Sequence, residues 1–229
     1  MLGRILEYLT AFVHLLYPRL CLVCGEPLVT GERHVCSGCL LAFPYNYLGG
    51  GKLERKLNRV FPVEGVYALF LYHHGSPYRK IIHALKYHSR KEVGLWLGHM
   101  LAVKFLKDLE LDVLLPVPLH PKREASRGYN QSVLIAEGIQ EVLGVEIVKT
   151  VLRRRVNNPS QTKVEFGERT CNVENIFQLI ERDSLVGKHV LLVDDVITTG
   201  STISACLREL SMIPGIRISV ACIGRAIAN

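Results

Sequence analysis

The sequence predicts an α/β domain built on a mostly parallel sheet, preceded by a small cysteine module. From about Phe61 onward, strand-like apolar runs alternate with helical patterns, as in parallel α/β folds. Ahead of that region, four cysteines stand in two CxxC pairs, a spacing that suits metal better than disulfides. With 229 residues, 48% of them hydrophobic, the chain has ample material for a buried core.

The first segment, residues 1–17, predicts an amphipathic helix. Its apolar residues recur at helical spacing with polar residues between them: Leu2, Ile5, Leu6, Leu9, Phe12, Val13 and Leu16. The apolar face packs onto the protein itself in the simpler interpretation, and onto a partner or a membrane surface in the other. A signal peptide is not expected, because no unbroken apolar centre or small-residue cleavage site precedes Pro18.

Residues 18–46 form the predicted zinc module. Eleven residues separate its two pairs, Cys21 with Cys24 and Cys36 with Cys39, so four thiolates can converge tetrahedrally on one Zn²⁺. Gly25 suits a tight knuckle whose backbone N–H groups turn toward sulfur. Such a closed site leaves no open position, so the metal would be structural. The alternatives are a redox or iron–sulfur site, four unrelated thiols, or a zinc site in which His34 replaces one cysteine ligand.

Cysteine usage and hydropathy also indicate where the protein resides. Seven cysteines, an odd number, favour the reducing cytoplasm, and we interpret Cys171, Cys206 and Cys222 as core thiols. No apolar stretch reaches the roughly 18 to 20 residues that cross a bilayer, so we expect no membrane span.

We interpret residues 47–60, with their glycine run and charged stretch, as a linker.

Residues 61–229 supply the alternating elements of the predicted α/β domain. The expected strands are 66–72, 113–118, 190–193 and 216–223. The expected helices are one from Ser76-Pro77, a good N-cap and first-turn pair, through Tyr87, and others at 92–106, 131–143 and 201–210. Residues 153–173 are polar with weak periodicity, which favours a mobile loop or a hairpin.

The net charge of +7 and the isoelectric point near 9.1 favour an anionic ligand. A polyphosphate metabolite, nucleic acid and a membrane surface all remain compatible with the charge alone.

The most informative stretch is 190–202, in which an apolar strand ends in two carboxylates and a glycine- and hydroxyl-rich turn opens a helix. In open α/β sheets ligands bind at that edge. The backbone N–H groups and hydroxyls of the turn can wrap a phosphate monoester, and the carboxylates can accept hydrogen bonds from sugar hydroxyls. The pattern predicts a ribose 5-phosphate site.

At every position this stretch resembles the 5-phosphoribosyl-1-pyrophosphate (PRPP) motif of type I phosphoribosyltransferases. The resemblance implies that Asp194 and Asp195 hold the ribose hydroxyls. It implies that Thr198, Thr199, Gly200, Ser201 and Thr202 bind the 5-phosphate, and that Mg²⁺ is carried on the pyrophosphate and ribose oxygens. Enzymes of this class that act on hypoxanthine or guanine have an aspartate where this chain has Thr198, so that kind of purine salvage is not expected.

A second strand end carries a basic loop with Leu119, His120, Lys122 and Arg123. A pyrophosphate needs cations and free N–H groups, so we expect this loop to bind it. A solvated basic turn is the alternative.

Together with Arg127-Gly-Tyr-Asn-Gln131, Gln161-Thr162, Glu168-Arg169 and Asn172, these motifs resemble the ComF/GntX family associated with competence for DNA uptake. The resemblance implies a type I phosphoribosyltransferase sheet with a flexible hood formed from Arg153 to Asn172. It implies a PRPP- and Mg²⁺-binding phosphoribosyltransferase, a glycosyltransferase that moves a pentosyl group. The alternative is a non-catalytic protein that handles single-stranded DNA. Lys86 and Tyr87 match a lysine–tyrosine pair of the family whose role the sequence does not indicate.

Overall fold

The computed structural model describes residues 18–47, 49, 51–87, 90–155 and 176–227. The predicted N-terminal helix lies outside the described residues. So do Cys171, Gln161, Thr162, Glu168, Arg169 and Asn172.

Five parallel strands form the central sheet, in the order β1-β7-β6-β2-β3. They are β1 (Gly65–Tyr72), β2 (Val113–Pro116), β3 (Glu146–Ile147), β6 (His189–Ile197) and β7 (Arg217–Ala226). An antiparallel hairpin, β4 (Leu152–Arg154) with β5 (Phe177–Leu179), stands beside it. The predicted α/β fold with a parallel sheet is confirmed.

Seven helices are described outside the strands. They are α1 (Ser37–Leu41), α2 (Gly51–Leu57), α3 (Arg79–Tyr87), α4 (Lys91–Leu101), α5 (Pro121–Arg127), α6 (Gln131–Leu143) and α7 (Ser201–Leu210). Helix α4 continues as a π-helical turn over Ala102–Leu106, and a 3₁₀ turn covers Asp183–Leu185. Helices α6 and α7 have the predicted bounds, whereas α3 begins later than expected because Ser76 and Pro77 form a preceding turn.

The helices cover both faces of the sheet, and successive residues of β6 divide between the two cores. Leu191 and Val193 pack with α3, α4 and α6, while Val190 and Leu192 pack with α2, α7 and the hairpin. This alternation follows from the pleat, which sends neighbouring side chains to opposite faces. The candidate site lies at the carboxyl edge of this sheet.

Helices α4 and α6 touch backbone to backbone through two glycines. A Cβ added at Gly98 would lie 2.1 Å from the carbonyl oxygen of Ile135, and one at Gly138 would lie 2.0 Å from that of Leu95. Neither position can accept a side chain without separating the helices. This packing fixes the N-terminus of α6 beside the candidate site.

Two segments differ from the sequence interpretation. Residues 47–60, predicted as a linker, contain α2, whose Leu53 and Leu57 are buried in the core. The basic loop after β2 is helical from Pro121. Its proline at the first helical position, a capping His120 and the left-handed Gly128 after its end are helix signals that the sequence interpretation passed over.

The cysteine module is continuous with the core of the sheet. Cys21, Val23, Val35 and Phe43 share one buried cluster with Phe70 of β1. Lys80 of α3 donates a hydrogen bond to the Val23 carbonyl at 3.0 Å. None of the described helices has the length and apolar character to span a membrane.

Candidate functional site

The turn between β6 and α7 is open to solvent and rich in donors. Thr198, Thr199 and Ser201 are exposed, and the Thr199 and Ser201 hydroxyls lie 3.1 Å apart. Gly200 has φ of +79°, a left-handed conformation that glycine adopts without strain. Helix α7 begins at Ser201, so its first N–H groups and its positive dipole end point toward this turn. The turn can therefore hold an anion.

Helix α2 supports the turn from behind. A Cβ at Gly200 would lie 2.8 Å from Cδ1 of Leu53, and Lys56 donates a hydrogen bond to the Thr199 carbonyl. The segment interpreted as a linker thus holds the turn in place. No local pattern predicts this support, because the contact joins residues 143 positions apart.

Asp194 and Asp195 lie within β6, so their side chains leave opposite faces of the sheet edge. Asp194 is buried. The Ser132 hydroxyl donates to its Oδ1 at 3.2 Å, and the Asp195 N–H donates to the same oxygen at 2.8 Å. Burial and the negative charge of Asp195 outweigh these donors and raise the pKa of Asp194 to about 7.

Asp195 forms an ion pair with Lys86 of α3. The Lys86 Nζ lies 3.0 Å from Oδ2 of Asp195, and the two side chains are 25% and 15% exposed. Burial opposes the charge of Lys86, but Asp195 and Asp194 more than offset it and raise the pKa of the lysine. Lys86 is therefore cationic at neutral pH.

Arg154 of the hairpin is a second cation near the carboxylates, after Lys86. Its guanidinium lies over the Phe177 ring, 5.5 Å from the centroid. Burial and the charge of Arg123 lower its pKa, while Asp194 acts in the opposite direction. The charges of Arg123 on α5 and Asp194 on β6 therefore both act on the Arg154 guanidinium.

The predicted pyrophosphate residues divide between a loop and a helix. Leu119 and His120 follow β2, and the Nδ1 of His120 accepts a hydrogen bond from the Lys122 N–H at 3.2 Å. Lys122 and Arg123 lie in the first turn of α5, with Lys122 exposed and Arg123 half-buried. The predicted basic loop therefore extends only to His120, and Lys122 and Arg123 lie instead in a capped helical turn.

The segment from Arg127 to Ser132 is a scaffold for the site. Asn130 caps α6 by accepting from the Ser132 N–H at 3.0 Å, and it donates to the Val117 carbonyl at 3.1 Å. Tyr129 donates to the carbonyl of Leu85 on α3 at 2.8 Å. These bonds join the end of β2, the start of α6 and the end of α3, so they position both Ser132 and Lys86.

The four predicted metal ligands converge in space. The sulfur atoms of Cys21, Cys24, Cys36 and Cys39 all lie within 4.8 Å of one another, and those of Cys24 and Cys36 are 3.7 Å apart. Four sulfurs at tetrahedral zinc are about 3.8 Å apart, given a Zn–S bond near 2.3 Å. The geometry of the cluster therefore suggests a metal such as zinc.

The knuckle backbone prepares Cys21 to be a thiolate. The N–H groups of Cys36 and Val23 donate to its sulfur at 3.3 and 3.4 Å. Burial opposes ionisation, but these donors prevail and lower the pKa of Cys21 to about 6. By contrast, burial raises the pKa of Cys39 to about 12. A divalent metal would bring all four sulfurs to the thiolate form.

Sequence comparisons connect the chain with proteins of DNA utilization. It is 29% identical to competence protein F of Haemophilus influenzae over 210 residues, which cover 84% of this chain and 92% of that protein. It is 27% identical to the DNA utilization protein YhgH of Escherichia coli K12 over 230 residues, 92% and 98% of the two chains. The chain is therefore homologous to these two proteins over most of its length. The family resemblance predicted from the motifs is thereby confirmed.

A shorter match links this ComF/YhgH homologue to competence protein ComFC of Bacillus subtilis. The two are 36% identical over 100 residues, 42% of this chain and 38% of that protein. No protein-family model matches the chain.

Among solved structures, an adenine phosphoribosyltransferase from Thermoanaerobacter pseudethanolicus matches 64% of this chain and 73% of its own, with 19% identity and a TM-score of 0.41. A hypothetical protein from Neisseria gonorrhoeae with bound ppGpp matches 60% and 69%, with 17% identity and a TM-score of 0.40.

Proposed function

We propose that this ComF/YhgH homologue binds PRPP together with Mg²⁺ at the carboxyl edge of its sheet. The observation that carries the proposal is the placement of Asp194 and Asp195 near the end of β6, separated by two residues from an exposed, hydroxyl-rich turn at the N-terminus of α7. Carboxylates accept hydrogen bonds from sugar hydroxyls, and the turn donates to phosphate. One ligand that carries both sugar hydroxyls and a phosphate is a ribose 5-phosphate.

The cations around the site favour a ligand with a second anionic group. The charges of Arg123 and Asp194 both act on Arg154, and Leu119 and His120 follow the neighbouring strand β2. We assign the pyrophosphate of PRPP to this side of the site. Mg²⁺, carried on the pyrophosphate and ribose oxygens, would neutralise the leaving group.

If the chain is catalytic, the reaction is a phosphoribosyl transfer. A nucleophile forms a bond to C1′ as the C1′–O bond breaks, and pyrophosphate leaves with the electron pair. The protein contributes by holding ribose and pyrophosphate in fixed positions. Because Thr198 has no titratable group, hypoxanthine and guanine are poor candidates for the acceptor.

The direct test is titration calorimetry of the purified protein with PRPP and Mg²⁺. We expect saturable binding, reduced at least tenfold in Asp195→Ala, which loses an acceptor for the ribose. Thr199→Val keeps the shape but removes a hydroxyl donor, a loss of about 1 to 3 kcal/mol when the group is buried with its ligand.

Thr150→Val is the matched control, because its hydroxyl contacts Glu181 at 3.2 Å away from the turn. It should bind PRPP like the wild type. No heat at millimolar PRPP in the wild type would eliminate the proposed function.

Zinc is the metal we propose for the cysteine cluster. Four thiolates favour Zn²⁺ among the common divalent ions and leave no position for a substrate. The role is therefore structural, at the join between the module and β1.

Single-stranded DNA is the second candidate ligand, supported by the names of the relatives and by exposed Arg153 and Arg155 on the hairpin. We expect weak binding of an oligonucleotide whose log affinity falls with log salt by about 0.7 per phosphate contact. Arg153→Gln should reduce that slope. Arg217→Gln, at the opposite end of the sheet, should not, and a flat salt response in the wild type would contradict this candidate.

A further inference from the structure

The sequence indicated no role for Lys86, but the packing of α3 fixes its position in the fold. Helix α3 approaches the sheet at Gly224 of β7, where an added Cβ would lie 2.6 Å from Cδ1 of Ile82. Gly224 pairs with Val196 of β6, next to the carboxylates. Lys86 follows Ile82 by four residues, so the two side chains share a face of α3. The close approach of α3 thus carries Lys86 to Asp195.

The end of α3 is also held from the other side. Leu85 is fully buried, and its carbonyl accepts the hydrogen bond from Tyr129. Lys86 is therefore anchored between two fixed contacts, and its ammonium reaches a carboxylate from a rigid backbone. Such a lysine has little freedom to swing toward a distant part of the ligand.

The ion pair engages one oxygen of Asp195. Lys86 contacts Oδ2 at 3.0 Å, and within the described part of the chain Oδ1 makes no hydrogen bond. A carboxylate held at one oxygen presents the other in a fixed direction. Lys86 also offsets the charge of two adjacent carboxylates, which would otherwise repel a polyanionic ligand.

We propose that Lys86 is a positioning residue of the ribose site, which orients Asp195 so that Oδ1 accepts a hydrogen bond from a ribose hydroxyl, and that it makes no contact with the pyrophosphate. This inference rests on the proposed function. It extends that function by separating the ribose-side cation, Lys86, from the pyrophosphate-side cations, Arg123 and Arg154.

The two possible roles of Lys86 differ in which ligand they affect. If Lys86 acts through Asp195, it supports binding of the ribose. Lys86→Met should then reduce the affinities for ribose 5-phosphate and for PRPP by the same factor, at least tenfold. If Lys86 instead contacted the pyrophosphate, Lys86→Met would weaken the binding of PRPP alone. Lys86→Arg restores the cation and should bind both within about threefold of the wild type, since a salt bridge of this kind tolerates the exchange unless it is bidentate.

Titration calorimetry with both ligands, in the presence of Mg²⁺, measures these factors. Lys80→Met is the matched control, because it removes a lysine from the same helix whose ammonium contacts the cysteine module. We expect it to leave both affinities unchanged. Melting temperatures of the unliganded variants show whether any loss reflects unfolding.

A double-variant cycle tests whether Lys86 acts through Asp195. In the Asp195→Asn background, Lys86→Met should have little further effect on either ligand. The inference would be overturned if Lys86→Met reduced PRPP binding but left ribose 5-phosphate binding unchanged, or if it left both affinities unchanged. Additive losses in the double variant would also overturn it. A wild type that binds neither ligand removes the proposed function itself.

Discussion

Cys24→Ser is expected to release the metal and open the cysteine module. The cluster would lose one of four ligands, and structural zinc contributes on the order of 10 kcal/mol to the folding of such modules. The wild type should carry one zinc per chain by elemental analysis, and Cys24→Ser much less than half. Because Phe43 and Val23 share the core of Phe70, we expect the damage to reach β1 and lower the melting temperature of the whole chain.

Trp96 provides an independent measurement, because the sequence has one tryptophan and its ring lies 5.3 Å from that of His34 in the module. Its fluorescence should shift when a chelator removes the metal from the wild type. Cys206→Ser is the control: it makes the same exchange at a buried cysteine outside the cluster and should keep one equivalent of zinc. Iron in place of zinc, or full metal content in Cys24→Ser, would contradict the assignment.

Asp194→Asn is expected to stabilise the unliganded protein above neutral pH. The pKa of this carboxyl rises from an ordinary 3.8 to about 7 on folding, so the folded chain binds its proton more tightly than the unfolded chain. Ionisation of the carboxyl therefore removes up to about 4 kcal/mol of stability as the pH rises from 4 to 7. The amide avoids that loss but still needs an acceptor, so we expect a gain of about 2 kcal/mol at pH 8.

Urea unfolding of both proteins from pH 5 to pH 9 measures this difference. Stability of the variant relative to the wild type should increase with pH and level off above pH 7, because Asp194 is then ionised in both wild-type states. Burial, Asp195, Lys86 and Ser132 set the pKa of Asp194, and Asp194 in turn acts on the charges of Arg154, Cys206 and Cys222. The comparison isolates Asp194, since the variant retains all of them. A difference that stays constant, or that decreases with pH, would show that folding does not raise the pKa of Asp194.

Features that lie within a short stretch of chain were predicted from the sequence. Helices α6 and α7 begin and end at the residues predicted from the sequence. The order of strand, carboxylates and turn in residues 190–202 is local, and so is the spacing of the two cysteine pairs. The end of β6 was misplaced, because the apolar run stops at Val193 although the backbone pairing continues through Ile197.

Contacts between distant parts of the chain were decided by the tertiary structure. The packing of α3 on Gly224 brings Lys86 to Asp195, and the placement of α2 puts Leu53 and Lys56 behind the turn between β6 and α7. Hydrophobic periodicity shows that a helix has a buried face, but not which strand that face covers or how closely. The sequence by itself therefore determined the fold class, the cysteine cluster and the order of strand, carboxylates and turn in residues 190–202. The tertiary structure decided which cations complete the site, because that depends on how closely elements far apart in the chain can approach.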